Sequence, residues 1–377
     1  MFKESVEYNL QELLPELGTK PVTGSAFSQA RYKIQSDFFK DLNRLPLDTY
    51  QASSKRLWKG HILLAGDGST LNLPSSESIK GCFGIHSTND VDINRYLARV
   101  FFIYDVLNDV VVGSRLSKME RGEKPLLLEC LDSLEQDRHI LILDRGFGNF
   151  CTIKQLANHQ SQFCVRLGIK NSNFAKAMLE DDRQDFVTVW KSSPKEKENC
   201  MKKGLDYEPL TLRVSKIKLK TGETELLVTN LQNTKNYTLQ DLAELYALRW
   251  GVEEGFKNLK PKMKIEHFGC KKAEGIFQEF YAHIFFMNMV ALIGMAANHS
   301  IKEKTGHRKW EYKYNWKNAY RFLKAKMIKL LHLKEIGDLF DKLLIKVANS
   351  IIALKPDRTF IRDTRHRNKK RITQFNK

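Results

Sequence analysis

Asp67 and Asp144 each close a short apolar run and are each followed within two residues by glycine, in LLAGDGST at 63–70 and ILILDRGFG at 140–148. A strand that ends in a carboxylate and then glycine sets the acid at a sheet edge with backbone room beside it. In open sheets flanked by helices, ligands collect at strand ends. Two such acids, joined by a third from a nearby helix, make a set of hard oxygen donors that suits Mg2+ or Mn2+. Taken singly, either aspartate equally fits a turn or a helix cap.

Glu253 is the candidate third acid. It lies in a segment that opens at Thr238, a helix-capping residue type, and runs to Lys260, ahead of Pro261, which stops or kinks a helix. At about 100° per residue, Tyr246, Arg249, Glu253 and Lys260 share a stripe roughly 60° wide. Leu245, Leu248, Val252, Phe256 and Leu259 form an adjacent apolar face. Such a helix packs on one side and presents carboxylate, guanidinium, ammonium and phenol together. The same spacing also fits an exposed ladder of ion pairs.

The elements that must position these groups are legible from hydrophobic patterning. Runs rich in β-branched and aromatic residues at 61–65, 96–104, 109–114, 139–143 and 163–167 predict strands. Residues 105–108 are short enough for a hairpin, and 123–137 and 149–159 predict helices. Three consecutive strands followed by helix, strand, helix, strand imply an α/β fold: a mixed sheet with flanking helices. Residues 170–231 then read as a β-rich insertion with a hairpin at 210–219 and 223–231. Residues 5–50 predict helices with a break at 19–24, a small module that packs or touches DNA through Arg31 and Lys33. Beyond 260 the chain reads as mostly helical to 354.

Composition narrows the partner. With 62 Lys and Arg against 44 Asp and Glu the formal net charge is +18, which points to a polyanion. Residues 301–377 alone carry 22 basic and 7 acidic side chains, concentrating the excess where a phosphate backbone would meet the protein. The aromatics interleaved there, Trp310, Tyr312, Tyr314 and Trp316, fit a core better than a lipid face or base stacking. Six cysteines without a CxxC pair or zinc-finger spacing read as reduced thiols in the cytoplasm. The apolar run 280–298 is near the length of a membrane span, yet His283 and Asn288 interrupt it, so a buried core helix is expected and no membrane partner.

The segment YALRWGVEEGFKNLK (246–260) resembles the signature of the hairpin-forming insertion-sequence transposases: Tyr, two residues, Arg, three, Glu, six, Lys. GDGSTL (66–71) and LDRGF (143–147) resemble that family's two aspartate motifs, and SAFSQAR (25–31) its N-terminal region. The resemblance implies a ribonuclease-H-like catalytic core over 56–169 and 232–300, interrupted by the β-rich insertion 170–231. An N-terminal helical module (1–55), a basic helical region (301–354) and a basic tail (355–377) complete the expected organisation.

It further implies that Asp67, Asp144 and Glu253 bind two divalent ions, Mg2+ or Mn2+. Tyr246, Arg249 and Lys260 would grip a phosphate beside a base flipped from the element end, with Arg145 and Lys257 as additional DNA contacts. No tryptophan precedes the signature helix closely enough to be assigned as the stacking aromatic; Trp190 and Trp250 lack support. The implied activity is nicking, hairpin formation and strand transfer on double-stranded DNA by a bacterial, cytoplasmic, DNA-associated enzyme that is a homodimer in its DNA complex. The competing readings are a nuclease of the same fold without strand transfer and a non-catalytic DNA-binding descendant of a transposase.

Overall fold

A computed structural model describes residues 5–355, apart from 89–90, 133, 135–137, 171, 220–221 and 333–334. The chain opens with α1 (Val6–Glu16), α2 (Gly24–Arg31), α3 (Ser36–Leu42) and α4 (Arg44–Ala52), so the expected pair of N-terminal helices is divided further. β1 (Ile62–Asn72), α5 (Glu77–Phe83), the paired β2 (His86–Thr88) and β3 (Val91–Arg95), β4 (Leu97–Asp105) and β5 (Val110–Lys118) follow. Next come α6 (Glu123–Leu131), β6 (His139–Leu143), α7 (Phe150–Asn158) and β7 (Gln162–Arg166). The insertion holds α8 (Asn173–Glu180), β8 (Asp185–Trp190), α9 (Pro194–Met201), β9 (Leu210–Lys218) and β10 (Thr224–Thr229).

All of these strands but β2 and β3, which pair with each other, form one eight-stranded sheet among the described residues, in the order β5-β4-β1-β6-β7-β10-β9-β8. β1 runs antiparallel to β4 and parallel to β6, and β6 is parallel to β7. With β4 antiparallel to β5, the first five strands make the ribonuclease-H-like mixed sheet. The insertion extends this sheet, because β10 pairs antiparallel with β7 through Leu227↔Arg166 to Thr229↔Cys164. Leu226, Leu227 and Val228 are all buried, as a strand covered on both faces requires.

Alternation along β1 and β6 separates two faces. Leu64, Leu141 and Leu143 pack with Leu126, Leu127, Cys151 and Cys200 under α6, α7 and α9. Leu63, Ile140 and Ile142 pack on the other face against Leu242, Leu245 and Tyr246 of α10 (Leu239–Ala247). After α10 come a 3-10 turn (Leu248–Trp250), α11 (Gly251–Lys257) and a π turn (Asn258–Lys262). Their Val252, Phe256 and Leu259 join Ala65, Val100 and Phe102 on that second face.

The 33-residue α12 (Ala273–Thr305) is long and apolar enough to cross a membrane, but it packs against the edge of the sheet. Its buried Asn288 accepts from Val111 N at 2.8 Å and donates to Val111 O at 2.9 Å, satisfying backbone that edge strand β5 would otherwise leave open. β11 (Glu311–Tyr314), α13 (Trp316–Lys324), α14 (Met327–His332), α15 (Gly337–Asn349) and β12 (Ile351–Leu354) complete the described chain. The expected helical C-terminal region thus contains a two-stranded sheet, with Tyr314 and Trp316 buried in the core. Residues 356–377 of the expected basic tail lie outside the described residues. Arg31 donates to Gln278, Glu279 and the Gly275 carbonyl, so its guanidinium fastens the N-terminal module to α12.

Candidate active site

Strand register brings the two aspartates together. In the parallel β1–β6 pair Gly66 stands opposite Leu143, and the residues that follow are Asp67 and Asp144. Asp144 comes just after β6, but Asp67 lies inside β1 opposite Phe102 of β4 rather than past the strand's end as its apolar run suggests, because pairing with β4 carries β1 on to Asn72. Alternation puts Asp67 and Asp144 on the face covered by α10 and α11, continuing Leu63, Ala65 and Ile140, Ile142. On the opposite face Gly66 leaves room for the Leu143 side chain: a Cβ there would lie 2.7 Å from Leu143 Cδ2. Asp67 Oδ1 accepts from Gly68 N at 2.8 Å, and Asp144 Oδ1 accepts from Gly146 N at 2.8 Å. Neither carboxylate forms an ion pair among the described residues.

Burial raises the Asp67 carboxyl from the ordinary 3.8 to about 6, with Asp144 and Glu123 adding repulsion and the Gly68 N–H and Arg249 opposing it. Two half-buried carboxylates side by side have the donor chemistry of a divalent-cation site, and on this test Asp67 and Asp144 fit. Glu253 is half-buried on α11. The structure does not draw it into a ligating group with them: no three His, Cys, Asp or Glu side chains among the described residues stand at metal-holding spacing.

The signature helix starts at a capping box, in which Thr238 Oγ1 accepts from Asp241 N and Asp241 Oδ2 accepts from Thr238 N at 2.8 Å. Lys59 also reaches Asp241 at 2.7 Å. The helix is not uniform. Pro261 supplies no N–H and its ring would collide with the carbonyl four residues back, so the last turn widens and Met263 N donates to Asn258 O at 2.9 Å, five residues away. This keeps Lys260 over β1, where its Nζ donates to Ser69 Oγ at 2.7 Å and Thr70 O at 2.5 Å.

Arg249 is buried, close enough to act electrostatically on Asp67, and its Nε lacks a hydrogen-bond partner. Its guanidinium carbon lies 4.9 Å from the Trp250 ring centre and 5.8 Å from that of Tyr246. Tyr246 is itself buried, and desolvation pushes its phenol up to about 12. Arg145 is exposed beside Asp144. Lys257 is exposed too, but it pairs with Glu254 at 2.5 Å on the outer side of α11. Trp190 is buried against Phe174, whereas Trp250 is 52% exposed. Glu123 and Lys124, in the first turn of α6, also act on this strand-end region; in the sequence they look like ordinary helix-start residues.

Residues 58–289, well over half of the chain, match the family model described as the transposase DDE domain. This chain belongs to the DDE transposase family. The DDE domain so delimited contains Asp67, Asp144, Glu253 and the whole signature helix; the N-terminal helices and everything after mid-α12 fall outside it. No curated protein matches the chain. Among solved structures it is similar to a piggyBac transposase synaptic complex with hairpin DNA, determined by cryo-EM. The identity is 11% and the TM-score 0.41, covering 81% of this chain and 60% of that one.

Proposed function

We propose that this member of the DDE family is a DNA transposase that nicks the ends of an insertion sequence, forms a hairpin at each end and joins the ends to target DNA. The observation that carries the reading is a pair of neighbouring carboxylates without ion pairs, Asp67 and Asp144, beside a buried arginine whose Nε is unpartnered. Anions that repel one another call for a divalent cation, and an open buried guanidinium calls for a phosphate.

In this reading Asp67 and Asp144 hold Mg2+ or Mn2+, two ions in all, with Glu253 as the third carboxylate. When bound, the metal activates a water or a 3′-hydroxyl and stabilises the leaving oxygen at a phosphodiester. Arg249 pairs with a backbone phosphate near the cut and is held for that role between Tyr246 and Trp250. Lys260 neutralises a neighbouring phosphate on releasing Ser69 and Thr70. Tyr246, anchored in the core, sets the position of the helix more than it contacts DNA. Arg145 lies at the mouth of the site, while Lys257 must leave Glu254 to contribute. The partners are double-stranded element ends and target DNA, and the working form is a homodimer on DNA.

The test is cleavage of a labelled duplex carrying the inverted repeats that flank the gene. Product should require Mg2+ or Mn2+. Asp67→Ala, Asp144→Ala and Glu253→Ala should each abolish it while DNA binding persists. Full cleavage in chelator would overturn the mechanism, and nicking without hairpin or joined product would reassign the protein as a nuclease.

A further inference from the structure

Residues 312–334 carry seven Lys and Arg and no Asp or Glu. The fold sorts these cations by face. α13 buries Trp316, Ala319 and Leu323. At about 100° per residue Lys317, Arg321 and Lys324 share a stripe roughly 60° wide, centred about 140° round the helix from those three. All three cations are exposed, and no carboxylate pairs with any of them among the described residues. Residues four and three apart on a helix are surface neighbours, so like charges stand side by side here. Such a face repels itself and attracts a polyanion.

The stripe adjoins the signature helix. The π turn (Asn258–Lys262) packs on α13, and Lys262 Nζ lies 5.4 Å from the centre of the Trp316 ring. Trp316 stacks on Tyr320 with ring centres 5.7 Å apart, and Tyr320 meets Phe286 of α12 edge-on at 5.5 Å. These rings fix α13 beside the turn that carries Lys260, whose Nζ reaches Ser69 of β1 at 2.7 Å. Asp109 and Glu254, acids that act on Lys262, are already engaged. Asp109 accepts from Tyr104 Oη at 3.2 Å and Tyr314 Oη at 3.0 Å and lies 3.8 Å from Lys313, while Glu254 pairs with Lys257.

We propose that the outer face of α13, formed by Lys317, Arg321 and Lys324, docks the backbone of double-stranded DNA where the duplex leaves the active site past Lys260 and Lys262. The inference rests on the transposase reading and adds a contact outside the matched DDE domain, which ends at residue 289. Charge complementarity selects the partner. The nine residues of α13 rise about 13 Å at ~1.5 Å each, the length of about four phosphates along one strand at ~3.4 Å each. Three cations spread over that length match a row of phosphates. A lipid surface would need large apolar side chains exposed beside the charges. α13 has none: its Tyr320 and Phe322 are half-buried against the core. The contact is to the backbone, since such cations neutralise phosphates without reading sequence.

The experiment uses the full chain and a duplex of random sequence. Lysine acetylation by an N-hydroxysuccinimide ester, read by mass spectrometry with and without saturating duplex, probes the surface without altering it. Lys317 and Lys324 should react several-fold more slowly in the complex, whereas Lys191, Lys195 and Lys218, exposed on the insertion, should keep their rates. In a fluorescence titration from low to moderate salt, the triple variant Lys317→Ala, Arg321→Ala, Lys324→Ala should lower the slope of log affinity against log salt by about 2.7, three phosphates at about 0.9 each. The triple variant Lys191→Ala, Lys195→Ala, Lys218→Ala removes the same charge and should keep the wild-type slope. Unchanged acetylation of Lys317 and Lys324 in saturating duplex would overturn the surface. So would a wild-type slope in the stripe variant, an equal loss of slope in both variants, or protection of these lysines by phosphatidylserine vesicles but not by duplex. If the wild type still nicks plasmid DNA with Mg2+ in any of those cases, the transposase reading stands and only the α13 surface falls. A wild type that neither binds nor nicks DNA would remove both.

Discussion

Asp67→Asn should stabilise the fold while destroying its activity. The side chain keeps its shape, and the new amide oxygen can still accept from Gly68 N, but the buried charge is gone. The rise from 3.8 to about 6 corresponds to about 3 kcal/mol at ~1.4 kcal/mol per tenfold change in proton affinity. Water at the exposed edge of the site trims this to roughly 1–3 kcal/mol. Proton binding sets the sign. A carboxyl with a raised folded-state pKa holds its proton more tightly when folded, so its contribution is most favourable below the unfolded value and is lost as pH rises through about 6. The variant lacks this loss. Its advantage should be near zero at about pH 4, grow between about 4 and 6, and level off by about pH 7. At roughly 2 cal/mol/K of unfolding entropy per residue, the gain at about pH 7.5 is about 1–4 °C in melting temperature. Paired melts of wild type and variant across roughly pH 4–8 provide the assay, and Mg2+ should raise the wild-type melting temperature while leaving the variant unmoved. A gap that does not change with pH, or a less stable variant at the alkaline end, would refute the reasoning.

Arg249→Ala and Lys260→Ala should impair hairpin formation more than the first nick on a labelled end duplex, because only the hairpin needs the opposite strand bent back onto the site. Lys260→Ala should also cost about 1–2 kcal/mol in denaturant melts through the lost Ser69 and Thr70 contacts, whereas Arg249→Ala should cost less because the Arg249 Nε makes no hydrogen bond. Gly148→Ala would place a Cβ 2.5 Å from the Arg166 carbonyl oxygen, so it should lose roughly 1–3 kcal/mol of stability and displace the loop carrying Asp144. Deleting residues 356–377 should flatten the salt dependence of binding to random-sequence duplex, each neutralised phosphate lost contributing about 0.9 to the slope.

The strands that carry Asp67 and Asp144 were legible because a buried strand betrays itself as a short apolar run. The turn after Asp144 does end β6, but Gly68 does not stop β1, which stays paired with β4 as far as Asn72, because strand length is decided by a long-range partner. The parallel neighbour relation that sets those acids side by side was not legible. Register depends on the antiparallel β4 lying on the other side of β1, a long-range choice with no local signal. The signature helix was legible as a stripe, and Lys260 reaches β1 as its position on that stripe suggests. The uniform geometry behind the stripe was not realised, because Pro261 forces a widened turn. The extension of the sheet by β8–β10 was hidden by the loop-like stretch 191–209, whose charged residues disguise the structural continuity. Lys257 shows the limit of helical spacing: one position beyond the buried Phe256 it turns to solvent and meets Glu254.

A contrast between satisfied and unsatisfied charge separates structure from function throughout this fold. Arg213 is fully buried, yet it is secured by Asp185 through Nε at 2.7 Å and by the carbonyls of Leu231 and Tyr237 at 3.2 and 2.6 Å. Asp105 is fully buried, yet it accepts from Tyr50 Oη at 2.5 Å, from Asn108 Nδ2 at 2.7 Å and from two backbone N–H groups. Such networks are what a stable interior requires of buried polar groups. Within one sheet, then, the chain supplies full sets of partners for the fully buried charges of Arg213 and Asp105. Where the parallel pairing of β1 with β6 ends, Asp67 and Asp144 have one backbone N–H each and no ion pair among the described residues, and the Arg249 Nε has no hydrogen-bond partner. A chain that can satisfy a fully buried arginine does not leave these three groups open beside one another for lack of means. Their open valences are of both signs, two acids beside a base, which is the complement of a divalent cation seated on a phosphodiester.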